Sequence, residues 1–329
     1  MYPPFVEERK FNTSWSSRLQ LLKPKPKLAD ILLSYRDIHD REFFTSYSLV
    51  NNGDLSPQYY VYPPSFLAEQ GYLFTGATSN GVLHFHNKDL GSHALWNLLT
   101  GEYKILPKHF VDELSPSVCF GFTMWSDHES QDCKLMYLVD VISISEQGDL
   151  DRFYHFVLYS LKTNSWRLIP FTGFDLVEVF DGYGCVSGGF YCVAYRKESG
   201  ECILSFDIST ETFSTLPTPN DYSYDTRYDF LEYKGYLCII ENEGYNLRMP
   251  RLWVLGDDGL WMRESFFDTI GVGWPLWSSY DGNLLYFPSL VDDALVVFDC
   301  ATGVLVVYHE VKCSSMVPFS QSLTQLNKL

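Results

Sequence analysis

Four side chains with metal-ligand chemistry fall within one short stretch: His84, His86, Asp89 and His93. His84 and His86 alternate along an apolar run, so both point to one face of a strand while Leu83 and Phe85 take the other. Imidazoles grouped this way are what a zinc site would use. Neither an HExxH pattern nor a carboxylate-histidine spacing accompanies them, and the pair is expected as surface residues or as packing between sheets. A second group, Asp127-His128-Glu129 with Asp132-Cys133, has ligand types too. Its polar neighbours and its place between two apolar runs mark it as a solvated loop. The sequence therefore assigns no metal and no cofactor.

Catalysis needs a nucleophile, an acid-base pair or a phosphate cradle. No GxSxG, P-loop or GxGxxG pattern occurs. Gly71, Gly76, Gly81, Gly271 and Gly273 lie in strand and turn contexts rather than ahead of a helix, which excludes phosphate cradling at a helix start. The acid pairs Asp257-Asp258 and Asp292-Asp293 read as a hairpin turn and a connecting loop. They leave one enzymatic alternative, a hydrolase acting on a glycan or small molecule near the axis of a ring-shaped fold. No catalytic residue is assigned, and the chain is read as a non-enzyme.

The elements that would carry such groups are set by a repeat. Five copies of an apolar strand, a tight polar turn and a second strand run Leu95–Pro107, Leu158–Pro170, Ser205–Pro217, Leu252–Ser265 and Val297–Tyr308. The aromatics Trp96, Tyr159, Phe206, Trp253 and Phe298 stand 63, 47, 47 and 45 residues apart by position, a period of about 45 with one insertion, the span of one propeller blade. The turns are Thr100-Gly101, Thr163-Asn164, Thr210-Glu211, Asp258-Gly259 and Thr302-Gly303, each followed by Tyr103, Trp166, Phe213, Trp261 or Leu305. A second hairpin signal precedes four of these copies: Asn80-Gly81, Gly188-Gly189, Lys234-Gly235 and Asp281-Gly282. Gly and Asn accept the positive φ of primed hairpin turns, and two hairpins per period make a four-stranded antiparallel sheet.

The expected fold is all-β: a β-propeller of six blades of up-and-down antiparallel strands, with a composite closing blade. Five blades occupy residues 70–311. The stretch Lys27–Pro63, with Ile31–Tyr35 and Phe43–Val50 as strands, supplies the sixth hairpin, and Val317–Leu326 closes the ring against it so that no edge stays open. Residues 27–329 then form one propeller domain, because a radial array shares its core through its neighbours. Residues 1–26 are expected to be a weakly structured basic leader. Aromatic residues at 17% and charged residues at only 20% suit strands buried on both faces.

Residues 1–36 hold seven Lys or Arg against three acids, a balance of +4, so the rest of the chain carries −21 of the net −17. A body this acidic repels phosphate backbones, which argues against nucleic-acid binding. It favours a basic protein partner, though acidity also serves plain solubility. Pro3-Pro4 and charges occupy the place of a signal-peptide core, and Pro or Gly breaks every uncharged run before membrane-spanning length. The eight cysteines form no CxxC pair, and six of them fall inside apolar strand runs. An intracellular location, cytoplasmic or nuclear, is expected, with no membrane partner.

In an up-and-down blade the first and third connections share one end of the ring, and the second and blade-crossing connections share the other. Tight turns supply the first kind. The second kind is expected to hold the long loops Lys88–His93, Arg196–Glu201, Thr218–Arg227, Glu241–Arg251 and Asp268–Pro275. They carry Tyr222, Tyr224, Tyr245, Arg248 and Trp274, residue types that dominate protein-interface energies, and these five are the candidate partner-binding residues. Trp277 opens a strand and is expected in the core. Two departures are noted: a long loop Ser126–Cys133 on the tight-turn end, and an insertion Ser143–Arg152 that enlarges the second period.

Several blocks resemble a known family. Thr78-Ser79-Asn80-Gly81-Val82-Leu83 followed by Leu95-Trp96-Asn97-Leu98-Leu99-Thr100-Gly101-Glu102-Tyr103-Lys104-Ile105-Leu106-Pro107 is similar to the "CNGLLCL … LWNPSTGEYKxLP" block of plant F-box-associated, kelch-like propeller proteins. Val118–Phe122, Val157–Arg167, Ile203–Glu211, Gly235–Cys238 and Leu252–Leu255 match in the same order, so the resemblance covers about residues 27–326 in repeat register. Ser79 and His84 stand where the family usually has Cys, as in a diverged copy. The resemblance implies a propeller that captures target proteins for a cullin-type ubiquitin ligase, with a separate helical F-box docking on a Skp-type adaptor. No leucine-rich helical stretch precedes the propeller here. Only Thr13-Ser14-Trp15-Ser16-Ser17-Arg18-Leu19 is similar to an F-box tail, the family's "CKSWxSLI" run, so target capture is expected and adaptor docking is not.

Overall fold

A computed structural model describes residues 6–10, 30–36, 41–49, 55–109, 117–127, 132–144, 150–171, 175–186, 188–197, 200–219, 226–233, 235–243, 251–264, 273, 277–278, 283–289, 294–309, 315–319 and 326. In chain order, β1 (Val6–Lys10) is followed by β2 (Asp30–Arg36), β3 (Glu42–Leu49), β4 (Leu55–Val61) and the short helix α1 (Ser65–Glu69). Next come β5 (Leu73–Ser79), β6 (Val82–Asn87), β7 (Ser92–Asn97) and β8 (Tyr103–Ile105), then β9 (Ser117–Asp127), β10 (Asp132–Ile144), β11 (Leu150–Ser160) and β12 (Ser165–Ile169). Two more quartets follow: β13 (Leu176–Val186), β14 (Gly189–Arg196), β15 (Gly200–Asp207), β16 (Thr212–Leu216), and β17 (Thr226–Tyr233), β18 (Tyr236–Glu243), β19 (Arg251–Leu255), β20 (Trp261–Glu264). The last are β21 (Trp277–Ser278), β22 (Leu284–Pro288), β23 (Ala294–Asp299), β24 (Val304–His309) and β25 (Ser315–Phe319).

These strands make six antiparallel sheets, one per blade. Blade 1 is composite, with order β25-β2-β3-β4, and blades 2 to 5 are the consecutive quartets from β5 to β20. Blade 6 is β21 to β24. The ring therefore closes by pairing a late strand with an early one, as expected, with Ile31 opposite Pro318 and Leu33 opposite Met316. The closing strand is Ser315–Phe319 rather than Val317–Leu326, and Leu326 is buried elsewhere. The sequence reading also placed no strand before residue 27, whereas Val6–Lys10 pairs with β24 as a fifth, outermost strand of blade 6.

Local chemistry explains the repeat. In three copies the residue after the repeat aromatic, Asn97, Asp207 or Asp299, caps its own hairpin turn with a side-chain oxygen, an Asx turn. Asn97 Oδ1 accepts the backbone N–H groups of Leu99 and Thr100 at 2.9 and 3.1 Å, and Asp299 Oδ1 accepts those of Ala301 and Thr302 at 2.8 and 3.1 Å. Asp207 Oδ1 accepts Ser209 and Thr210 N–H, each at 2.8 Å, and the Ser209 hydroxyl. The Ser209 hydroxyl and then the Thr210 amide hold the Asp207 carboxyl down at about 2. Asn164 and Glu211 complete their turns at φ of +49° and +54°.

The core lies in the seams between blades, because each sheet is apolar on both faces. Leu32, Phe44, Phe85 and Trp96 fill the seam of blades 1 and 2, and Met136, Phe156, Phe190 and Phe206 that of blades 3 and 4. Val193, Tyr228 and Ile239 fill the seam of blades 4 and 5, and Ile31, Tyr286, Leu295 and Tyr308 join blade 6 back to blade 1. In three copies the aromatic that opens the outer strand ties it to the end of the preceding copy. Trp166 Nε1 donates to the Pro107 carbonyl and Trp261 Nε1 to the Pro217 carbonyl at 2.7 Å, in both cases the proline that ends the previous copy. Phe213 instead packs on Phe171, ring centroids 4.9 Å apart. Glu211 adds an ionic tie from blade 4 to Lys134 at 2.8 Å and to Arg167 of blade 3. Burial pushes its carboxyl up, and the bonds from Lys134 and Arg167 outweigh that, leaving it below its ordinary value.

The inner strands crowd around the axis, where glycine becomes a requirement. β9 is irregular against β10 around Gly121, whose φ is +64° and whose added Cβ would stand 3.2 Å from Phe190 Cζ. The expected Ser126–Cys133 loop is absent as such. Ser126 pairs with Cys133 and Asp127 with Asp132, so the two strands run on to a connection spanning only residues 128–131. The Ser143–Arg152 insertion likewise lengthens the β10–β11 hairpin, whose pairing continues to Ile144 opposite Leu150.

Candidate functional site

Three of the four ligand candidates are taken up in packing, and the fourth, Asp89, stands exposed in the β6–β7 turn. His84 and His86 share one face of β6, as their alternation requires, and meet His93 of β7. His84 is fully buried and His93 nearly so. Thr75 Oγ1 lies 2.9 Å from His84 Nδ1, and His84 Nε2 lies 3.1 Å from His93 Nδ1. The rings of His86 and His93 stack at 4.7 Å, and Phe122, Tyr137 and Trp166 of blade 3 close over them. The histidines thus form the aromatic filling of the seam between blades 2 and 3. Burial, then the neighbouring His93 and His86, pull the His84 imidazole well below its ordinary value, so it stays neutral. Among the described residues no group of three His, Cys, Asp or Glu is placed to hold a metal. Asp257 and Asp258 stand exposed in the β19–β20 turn, where Asp258 Oδ1 accepts Leu260 N–H at 3.0 Å. Asp292 and Asp293 lie outside the described residues.

The connections divide between the two ends as the up-and-down rule requires. The strand ends that the longer connections over 217–225, 244–250 and 265–276 join all face one end. Two segments expected there as long loops are short. Residues 88–91 close β6 to β7 as a tight turn, with Asn87 Oδ1 accepting Leu90 N–H at 2.9 Å, and β14 and β15 stay paired out to Arg196 opposite Gly200. The five candidates Tyr222, Tyr224, Tyr245, Arg248 and Trp274 lie outside the described residues. Trp277 does open a strand, opposite Tyr286.

On the same end the structure brings together aromatic residues that the sequence reading passed over. Tyr35, Phe43 and Tyr62 are cross-strand neighbours at the ends of β2, β3 and β4. The first two rings stack at 5.0 Å and the second pair tilts at 5.6 Å. The Arg41 guanidinium sits over the Tyr62 ring, 5.4 Å from its centroid, a cation–π contact. Tyr62 keeps 52% and Tyr60 57% of their surface in solvent. Further round, the lengthened β10–β11 hairpin exposes half of Phe153, while Arg152 on its other face pairs with Asp140 at 3.8 Å and Glu178 at 3.6 Å. The aromatic run Tyr59-Tyr60-Val61-Tyr62 ahead of Pro63-Pro64 was the legible signal for the first patch. Nothing local marks the second, since a strand extended by pairing reads like a loop insertion.

A closed ring of six antiparallel sheets, sealed by aromatic seams, defines a six-bladed β-propeller. Two solved structures share the fold at low identity: a nidogen/laminin complex, with a TM-score of 0.51 and 14% identity over 89% of this chain and 100% of that one, and TolB from Acinetobacter baumannii, with 0.50 and 9% over 88% and 66%. The family model of the F-box associated beta propeller domain matches residues 30–311, and the chain belongs to that family. Among Arabidopsis thaliana proteins, the putative F-box protein At3g23260 is 26% identical over 60% of this chain and 53% of its own length. The F-box/LRR-repeat/kelch-repeat protein At2g27520 is 29% identical over 32% of this chain and 27% of its own, and the putative F-box protein At5g62660 30% over 34% and 29%. The chain thus spans about half or less of the curated relatives it matches. No helix among the described residues is long and apolar enough to cross a membrane.

Proposed function

We propose that this chain is a protein-recognition module, resembling the substrate-recognition propeller of an F-box protein in a cullin-type ubiquitin ligase, and that it grips its target through the rim of longer connections. Family membership over residues 30–311 carries this reading. The topology of the ring supports it: tight turns make one end compact, and the up-and-down order is consistent with the connections bearing Tyr222, Tyr224, Tyr245, Arg248 and Trp274 lying at the other. Tyr, Trp and Arg supply most of the binding energy in such contacts. Tyr60, Tyr62 and Phe153 extend the same end with exposed apolar surface. A net charge of −17 favours a target with a basic surface and speeds its encounter. The reading places the protein inside the cell, with target capture as its own task and adaptor docking left to an F-box.

The test uses the intact chain, purified from its source tissue with whatever it holds. Trp274→Ala, Tyr245→Ala and Arg248→Glu should each weaken capture of the enriched target by about tenfold or more, the range of interface hot spots, with unchanged thermal stability. Undiminished capture by all three removes the proposed rim. A Skp-type adaptor that co-purifies with the intact chain would show that adaptor docking belongs to it after all.

A further inference from the structure

The strand β25 runs antiparallel to β2 and so leaves blade 1 at the tight-turn end of the ring. The next described residue, Leu326, has no exposed surface at all. It belongs to the apolar cluster between blades 2 and 3, with Ala77, Val82 and Leu95 from one and Met124, Leu135 and Leu161 from the other. Its backbone N–H donates to Glu102 Oε2 at 3.1 Å, across 224 positions of sequence. Glu102 follows the Thr100-Gly101 turn, so the acceptor stands on the tight-turn end, opposite the rim of longer connections. Two features of one residue are thus recognised separately. A socket between blades takes the leucine side chain, and a carboxylate takes its amide, a charge-assisted bond stronger than a neutral one. Among the described residues, the groups that meet Leu326 belong to blades 2 and 3. This is how a folded domain reads an extended peptide with an apolar anchor.

We propose that the seam of blades 2 and 3 is a leucine-accepting peptide site on the tight-turn end, whose resident ligand is the chain's own Leu326. A partner enters by presenting a leucine with a free backbone N–H in place of Leu326. The site is separate from the rim of longer connections, so the two surfaces can be occupied together. Occupation in cis raises the effective concentration of the resident, and an incoming peptide must outcompete it.

The probe is a labelled synthetic peptide of residues 321–329, titrated by fluorescence anisotropy against the full chain and against a chain ending at Phe319. The shortened chain should bind it at least tenfold more tightly than the full chain does. A peptide with Leu326→Ala should lose at least tenfold, and Glu102→Ala in the shortened chain should weaken the unaltered peptide about tenfold, the worth of a bond to a charged acceptor. Should the shortened chain fail to fold, Leu326→Ala in the full chain opens the socket without truncation, and it should admit the unaltered peptide where the native full chain does not. Absence of binding to either opened form, equal binding to the native full chain, or indifference to Leu326 in the peptide would each overturn the proposal.

Discussion

Gly184 is the position where one methyl group should break the ring. It lies in the inner strand β13, where blade 4 meets blade 5 beside the axis. A Cβ added there would stand 2.7 Å from both the Cβ and the carbonyl oxygen of Phe230 and 3.2 Å from its carbonyl carbon. Non-bonded carbons rest at about 3.5–4.0 Å, so Gly184→Ala demands nearly 1 Å of separation from a backbone that cannot swing aside. Overpacking of this kind costs about 1–3 kcal/mol. Gly101→Ala is the comparison: φ there is +72° with nothing within 4 Å, so its loss reflects backbone strain alone, about 1–2 kcal/mol. Urea denaturation gives both values, and amide hydrogen exchange separates their origins. Gly184→Ala should lose protection in β13 and β17, and Gly101→Ala only around the β7–β8 turn. Trimming Phe230 to Ala should not rescue Gly184→Ala, because the clashing oxygen and Cβ remain. A change within 0.5 kcal/mol, or rescue by the trimmed partner, would refute the reasoning.

Two further outcomes follow from the seams. His84 is held neutral by burial and by His93 and His86, so its contribution is complete above an unfolded value near 6.5 and is lost as pH falls toward the lower folded value. Stability between pH 6.5 and 5 should therefore decline, by up to about 1.4 kcal/mol per unit from this group, and His84→Asn should flatten that slope in denaturation series; an unchanged slope assigns it to other histidines. Trp166→Phe and Trp261→Phe each remove an indole N–H bond to a proline carbonyl of the preceding blade. Each should destabilise by about 1 kcal/mol, and the double variant should be additive because the two seams share no partner. A strong coupling between them in calorimetry would mean that the blades do not seal independently.

The sequence alone determined whatever is local. Alternating apolar residues fix a strand and its two faces, so His84 and His86 could be placed together opposite Leu83 and Phe85 before any coordinates. Turn residues with positive φ and a capping oxygen fix the hairpins, which is why Asn97, Asp207 and Asp299 recur after their aromatics. Period and count gave the blades, and closure of a ring implied that late and early strands meet. Only the tertiary structure decided which groups meet across blades. The register that ends the closing strand at Phe319, the seam that receives Leu326, and the His84–His93 contact with Phe122 and Tyr137 depend on contacts far apart in sequence, and these leave no local period. The same holds for Gly184, whose need for a bare Cα comes from Phe230 in the neighbouring blade. Pairing distinguishes an extended hairpin from a loop, so Ser143–Arg152 could be placed only once β10 and β11 were seen together.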